Sequence, residues 1–393
     1  MSLTEDQKTI IKNSIPVLES SGVDLTYGFY SHMFNTHPEV LPYFNQAHHE
    51  SLRQPKILAH ALLQYAKNID DLTPLTSFVH HVVVKHVGLQ IKAEHYQVVG
   101  ECLLYQLHKM LGDEVATLEF MKAWELAYFQ LANILINAEA LKYDEQASSP
   151  NSWRDFKDFK ILDIVDESDN VKSIYFAPLD GSKPATPKPG QYICIRFPPN
   201  KISKISTQRE FTLSEFFDEN KYRISVRKDP NGVISSFIHD GGLNIGDIIG
   251  CSPPNGELLY EEGPADSEMV LIAGGIGITP MVSITEYALS QNRKVKLLFS
   301  NKTINSMPFK NWLNSLQLQY GKNFQIIKFI TEEDGNDTEF IYRRMNKTDF
   351  EFLKGDESIY LVGPFRFMNE INEILKEKNI KNIYSEEFGP ITV

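Results

Sequence analysis

Ten of the 11 histidines lie between His32 and His108, and only His239 falls later, so histidine chemistry belongs to the first part of the chain. There Lys85-His86 ends an apolar run, Tyr96 follows ten positions on, and Tyr30 and Gln54 lie upstream. An imidazole on an apolar helical face can hold a metal or simply fill a core; the second use is the commoner, and its neighbours decide. A second group, Gly274-Gly-Ile-Gly-Ile-Thr-Pro280, follows a buried apolar run and carries a proline suited to a first helical turn. Amides at such a helix start are aimed at phosphate, which points to a dinucleotide; the spacing is not G-x-G-x-x-G, and an ordinary tight strand-to-helix turn uses the same glycines. Gly363-Pro364 closes a later apolar run. Ser300-Asn301-Lys302 stands where an acid would favour the ribose of NAD, so Lys302 leans towards the 2′-phosphate of NADP, with a solvated loop lysine as the nearly equal alternative. In a third group, Arg209-Glu210-Phe211-Thr212 is preceded by Pro189-Gly-Gln-Tyr192 and followed by Gly232-Val-Ile-Ser235. An arginine fork can clamp a pyrophosphate, a threonine hydroxyl can face a flavin nitrogen, and Tyr192 can cover a ring. Singly these are a surface arginine and a core tyrosine; only their order along the chain adds weight.

Three kinds of element must position these groups. Residues 1–149 hold five of the 20 prolines and five of the 22 glycines, and their apolar residues recur at helical spacing: Leu25, Phe29 and Phe34 behind a capping Asp24, then Leu58, Leu62 and Tyr65, Leu103 to Leu111, and Trp124 to Ile136. This predicts an all-α domain. The small polar stretch Gln146 to Ser152 reads as a linker. Beyond it, Phe156–Val165, Tyr192–Phe197, Phe211–Ser214 and Tyr222–Arg227 are short β-rich runs between Pro and Gly turns, the pattern of a small antiparallel barrel. From about Pro264 continuous apolar strands, Met269–Ala273, Val295–Phe299 and Ser358–Val362, alternate with helical patterns as in a parallel α/β sheet. The expected division is therefore 1–147, 153–262 and 266–393.

With 393 residues the chain exceeds one ordinary core, and 42% hydrophobic against 23% charged residues excludes a disordered polymer. Its formal charge of −12 opposes nucleic acid and anionic membranes. The longest apolar stretch, Met269 to Ile284, is broken by three glycines and a proline, so no membrane association is expected. The first ten residues resemble neither a secretory signal nor a transit peptide, and Cys102, Cys194 and Cys251 are widely spaced, which suits a reducing cytoplasm and no thiolate metal site.

Phe44, Gln54, Lys85-His86, Ile91-Lys92, Tyr96, Arg209 to Thr212, Gly274 to Pro280 and Phe388-Gly-Pro390 together resemble one family, the flavohemoglobins, over almost the whole chain. The resemblance implies a globin, a flavin barrel and a nicotinamide domain in that order, with haem b, FAD and NADPH or NADH as cofactors, in a cytoplasmic monomer. It implies His86 as the axial iron ligand beside Lys85, Phe44 as an aromatic wedge against the haem, Tyr30 and Gln54 as the distal pair, and Leu58 as a wall of that pocket. Tyr96 and Glu139 are implied as the hydrogen-bonded groups behind His86, and Pro55 is expected to hold Gln54 at a helix entrance with its amide free to swing. Flavin contacts implied are Tyr192, Arg209, Glu210, Phe211, Thr212, Gly232, Ile234, Ser235, Glu387, Phe388 and Gly389. The coenzyme is expected on Gly274, Gly275, Ile276, Gly277, Ile278, Thr279, Lys302, Gly363 and Pro364. The implied reaction is nitric oxide dioxygenation, in which nitric oxide and oxygen give nitrate. Its rivals are a haem sensor or oxygen store with an accessory reductase, and an NADPH oxidase or ferric reductase. Three motifs depart from the family pattern: Phe211 and Thr212 replace Tyr and Ser, Ile234 replaces Val, and Val362 replaces a Cys whose smaller side chain would let the nicotinamide approach the flavin more closely.

Overall fold

The computed structural model of the chain describes residues 3–44, 51–199, 205–215, 218–263 and 267–388. The described residues divide into two compact units, one holding residues 3–44, 51–148 and 205–208 and the other residues 149–199, 209–215, 218–263 and 267–388.

The first unit is helical: α1 (Glu5–Asn13), α2 (Ile15–Thr36), α3 (Arg53–Lys67), α4 (Thr76–Leu89), α5 (Ala93–Leu111) and α6 (Leu118–Ser148), with 3₁₀ turns at Pro38–Tyr43 and Thr73–Leu75. Thr4 and Gln7 form a reciprocal cap that starts α1. Asp24, expected as a cap, lies inside α2, because the apolar face continues upstream through Leu18 and Gly22. Two small residues set the spacing of these helices. A side chain at Gly22 would meet Ala59 at 3.5 Å, and one at Gly100 would meet the Tyr128 ring at 2.6 Å. The core is lined by Leu25, Phe29, Met33, Leu62, Tyr65 and Trp124. Helix α6 runs through the first part of the expected linker and stops at Ser148.

Beyond the helices six strands, β1 (Lys157–Ser168), β2 (Val171–Pro178), β3 (Tyr192–Phe197), β4 (Thr207–Thr212), β5 (Tyr222–Arg227) and β6 (Ile248–Cys251), form a sheet in the order β4-β3-β6-β1-β2-β5. Strand β1 pairs antiparallel with β2 and β6, β2 with β5, and β3 with β6. Its two edges meet through an antiparallel bridge between Leu213 and Ile224, and Ser214 N–H donates to Arg223 O at 2.9 Å, so the sheet closes into a barrel. Inside, the Phe159 and Tyr222 rings stack 5.7 Å apart. Strand β6 escapes the reading by alternation because it is only four residues long, and β2 because Ser173 and Ile174 are buried in succession. Helix α7 (Val233–His239) follows β5.

The rest of the second unit is a parallel sheet of β7 (Met269–Gly274), β8 (Val295–Asn301), β9 (Phe324–Ile330), β10 (Phe340–Ile341), β11 (Ser358–Val362) and β12 (Ile383–Ser385), ordered β10-β9-β8-β7-β11-β12. Helices α8 (Thr279–Ser290), α9 (Lys310–Tyr320) and α10 (Phe365–Glu377) connect its strands. Every residue of β7 and β11 is buried, which is why both read as unbroken apolar runs. The strand order reverses between β7 and β11, and at such a reversal the loops after the two strands part and leave a crevice.

Barrel and sheet are tied together within the unit. Gly190 N–H donates to Ser283 Oγ at 3.0 Å, and Tyr360 Oη accepts from Glu261 N–H at 2.7 Å while donating to Leu259 O at 3.0 Å. Arg293 bridges Glu261 O at 2.8 Å and Ser358 Oγ at 2.9 Å. Among the described residues no helix is long and apolar enough to cross a membrane.

Candidate functional site

Helix α4 carries His86 in its last turn and ends with Gln90 in the left-handed conformation, where Ile91 N–H returns to His86 O at 2.9 Å. That turn-closing bond, of the kind that commonly ends helices, fixes the backbone bearing the imidazole. Tyr143 Oη donates to Ile91 O at 2.7 Å and to His86 O at 3.3 Å from the far end of α6. His86 Nδ1 then lies 2.8 Å from Glu139 Oε1 and 2.9 Å from Tyr96 Oη, and Tyr96 donates to the same Glu139 oxygen at 2.5 Å. Glu139 is only 2% exposed. Tyr96 is held in turn by Tyr128, whose hydroxyl donates to Tyr96 O at 2.6 Å across the gap that Gly100 leaves open. Burial, and then the Glu139 carboxylate, keep the Tyr96 phenol protonated far above its ordinary range. With the phenol as donor, Glu139 is an acceptor and Nδ1 its second donor, which leaves the Nε2 lone pair of His86 available to a metal. Lys85 precedes His86 in the same turn and is partly exposed.

Tyr30 and Gln54 come together by helix packing. Thr26, one turn before Tyr30, donates to Pro55 O at 2.8 Å, which docks the start of α3 on α2. Gln54 is the second residue of α3, at the expected entrance, and it is helical despite the proline after it. Its side chain hydrogen-bonds the Tyr30 hydroxyl. Burial raises the Tyr30 phenol well above its usual range, and the bond to Gln54 opposes that rise. The Phe44 ring meets Tyr30 edge-on at 5.7 Å and Phe34 at 5.2 Å, and Leu58 packs on the same core. The next ring along, Tyr43, meets His95 at 4.6 Å, and burial lowers the pKa of the His95 imidazole.

In the barrel, Arg209, Glu210, Phe211 and Thr212 occupy β4. Burial lowers the Arg209 guanidinium from its ordinary value, so an anion brought to it would gain. Tyr192 exchanges backbone hydrogen bonds of 2.8 Å with Asn255, and its hydroxyl accepts from Asn255 Nδ2 at 3.2 Å. The same hydroxyl bonds Glu210, and burial, then Glu210, then Glu386 drive its phenol far upward. Its ring lies over Gly256, where any side chain would come within 2.9 Å of it. Phe211 meets Phe197 at 6.3 Å as part of the barrel core, and Thr212 is buried. Gly232 precedes α7, Ile234 is buried in it, and Ser235 Oγ accepts from Asp229 N–H at 3.1 Å. After β12, Glu387 is partly exposed and Phe388 is exposed; Gly389 lies outside the described residues.

Gly274 to Thr279 fill the turn after β7, and Gly363-Pro364 the turn after β11, so both loops flank the reversal of strand order. The glycines are required there. A side chain at Gly277 would stand 2.3 Å from Val362 O, and Gly275 has φ +54 with Arg227 Nη1 3.2 Å from where a side chain would begin. Ile276 is partly buried and Ile278 fully so, which leaves backbone as the polar surface of the turn. Val362 itself is buried in the sheet core beside Leu271 and Tyr360, so its methyl groups fill the core rather than the crevice. Lys302 follows β8 and is ion-paired with Glu332 at 2.7 Å. Tyr128, Tyr143, Arg227, Ser283 and Glu386 were not singled out by sequence, because each acts through a backbone atom or across a fold contact that no spacing encodes.

Comparison with known proteins agrees with this layout. Residues 28–135 match the family described as Globin, and residues 271–373 match the Oxidoreductase NAD-binding domain. A Candida albicans flavohemoprotein is 44% identical over 99% of this chain and 97% of its own. The crystal structure of a Malassezia yamatoensis flavohemoglobin with bound FAD and heme superposes with a TM-score of 0.85 at 27% identity, covering 99% of this chain and 100% of that one. The FAD/NAD-binding domain of a nitric oxide dioxygenase from Vibrio cholerae matches 60% of this chain and all of its own at a TM-score of 0.55 and 27% identity. A helical unit built around a carboxylate-backed histidine, followed by a closed barrel and a parallel sheet, thus coincides with similarity along the full length, and the chain belongs to the flavohemoprotein family.

Proposed function

We propose that this chain is a nitric oxide dioxygenase, turning nitric oxide and oxygen into nitrate with electrons from a reduced nicotinamide coenzyme passed through FAD to haem b. In this reading residues 1–147 hold the haem, 153–262 the FAD and 266–393 the coenzyme. The observation that carries it is the carboxylate behind the imidazole, 2.8 Å from His86 Nδ1 and shared with Tyr96. A carboxylate in that position raises the basicity of the imidazole, which favours oxygen activation over reversible storage and so favours an enzyme over a carrier. When bound, haem would supply the iron at which the two gases meet, and FAD would take electrons in pairs and release them singly.

The residues fit these groups. His86 presents Nε2 because Glu139 and Tyr96 engage Nδ1. Tyr30 and Gln54 form a joined donor pair among Phe44, Phe34 and Leu58, a setting that orients a small polar ligand and excludes water. Arg209 is a partly buried cation suited to a pyrophosphate, and Thr212 and Tyr192 are a buried hydroxyl and a buried ring of the same barrel. The turn at Gly274 to Thr279 offers backbone amides to a second pyrophosphate. The named relatives support the reading: one is described with FAD and heme, another as a nitric oxide dioxygenase. With haem and FAD bound and reduced coenzyme supplied, nitric oxide removal is expected to require oxygen and to yield one nitrate per nitric oxide. Nitrous oxide or nitrite as the main product would overturn the reading.

A further inference from the structure

Lys302 is the cation expected for a 2′-phosphate, and the structure gives it an acidic partner. Strands β8 and β9 remain paired beyond their ends: Thr331 N–H donates to Asn301 O at 3.0 Å and Glu332 N–H to Lys302 O at 2.8 Å. The backbone register therefore sets Glu332 opposite Lys302, and Nζ lies 2.7 Å from the carboxylate. The loop that follows is fixed as well. Glu333 accepts from Ile304 N–H at 2.8 Å, and Thr303 and Ser306 bond each other reciprocally. Because Ser300 pairs with Gly274, this edge adjoins the glycine turn at the carboxyl ends of the strands, where ligands of open α/β sheets bind. Asn301 is 7% exposed, and among the described residues its buried side-chain nitrogen has no hydrogen-bond partner.

Resting on the reductase reading above, we infer that Glu332 is a specificity-determining residue that turns this edge against a 2′-phosphate and towards NADH. A phosphate monoester carries about −1.5 to −2 charges and needs cations not already met. Here the charge of Lys302 is met, and Glu333 and Asp334 follow directly. A ribose 2′-hydroxyl, by contrast, is a donor that a carboxylate accepts.

The test is Glu332→Gln, which keeps the shape and removes the charge; the pair is exposed, so folding depends little on it. Stopped-flow reduction of the bound flavin should show kcat/KM for NADH exceeding that for NADPH by about tenfold or more in the parent protein. In the variant the ratio should move towards NADPH by about tenfold, and competition binding should shift from 5′-AMP towards 2′,5′-ADP by a similar factor. Equal or better use of NADPH by the parent, or a variant in which both coenzymes change by one factor, overturns the inference alone. If neither coenzyme reduces a flavin that dithionite reduces, the reductase reading fails and takes the inference with it.

Discussion

Two donors, the Tyr96 hydroxyl and the His86 Nδ1–H, converge on one oxygen of a carboxylate that is 2% exposed. A buried carboxylate needs such partners, since leaving it unpaired would cost several kcal/mol, so the triad is both a stability requirement and a device for tuning the imidazole. Elsewhere in the helical unit the Tyr30 hydroxyl accepts a hydrogen bond from Gln54. Tyr30→Phe is expected to speed oxygen dissociation by about tenfold or more, because a buried hydrogen bond to a charged acceptor contributes roughly 1.5 to 3 kcal/mol. Flash photolysis checks this, and an unchanged rate would mean that Gln54 alone serves the ligand. The residues of this site were legible mainly by resemblance. Glu139 stands 53 positions from His86, and no helical or strand period links the two. Tyr128 and Tyr143 were not legible at all, because their hydroxyls grip backbone carbonyls and any buried tyrosine looks the same in a sequence.

Elements were easier to read than their ends. Helical spacing located the helices, yet the start of α2 was misplaced at Asp24, because a good capping side chain inside an apolar run competes with packing and loses. The barrel showed in its short β-rich runs, whereas its closure through Leu213 and Ile224 is a long-range pairing invisible to local pattern. Val362 illustrates the same limit: position suggested a nicotinamide contact, and burial on both faces of β11 makes it a core residue. Close approach of elements explains where glycine is indispensable. Gly190 has φ +100, and a side chain there would stand 1.9 Å from Leu258 O, beside the bond from Gly190 N–H to Ser283. Gly190→Ala is expected to destabilise this unit by about 2 kcal/mol or more. Chemical denaturation monitored on the second unit measures the loss, and an unchanged midpoint would show that the turn relaxes freely.

At the scale of the molecule, the division seen in composition is a division of labour. Histidine is concentrated where the helices are, and proline and glycine where strands turn, because barrel corners and tight strand-to-helix turns need special backbone. The two compact units make a separable defect possible. His86→Ala is expected to lose its haem while coenzyme still reduces the flavin at close to the parent rate, measured by visible spectra after gel filtration and by stopped flow. Full haem retention with an unchanged Soret band would move the axial role to another histidine such as His80 or His81. The central claim is that the carboxylate behind His86 makes this globin an enzyme, and it is tested most directly by the rate of oxygen-dependent nitric oxide removal in Glu139→Gln beside the parent protein. With haem content matched, the variant is expected to be slower by about 10-fold to 100-fold, with nitrate still the product of the parent. Equal rates in the two proteins would contradict it.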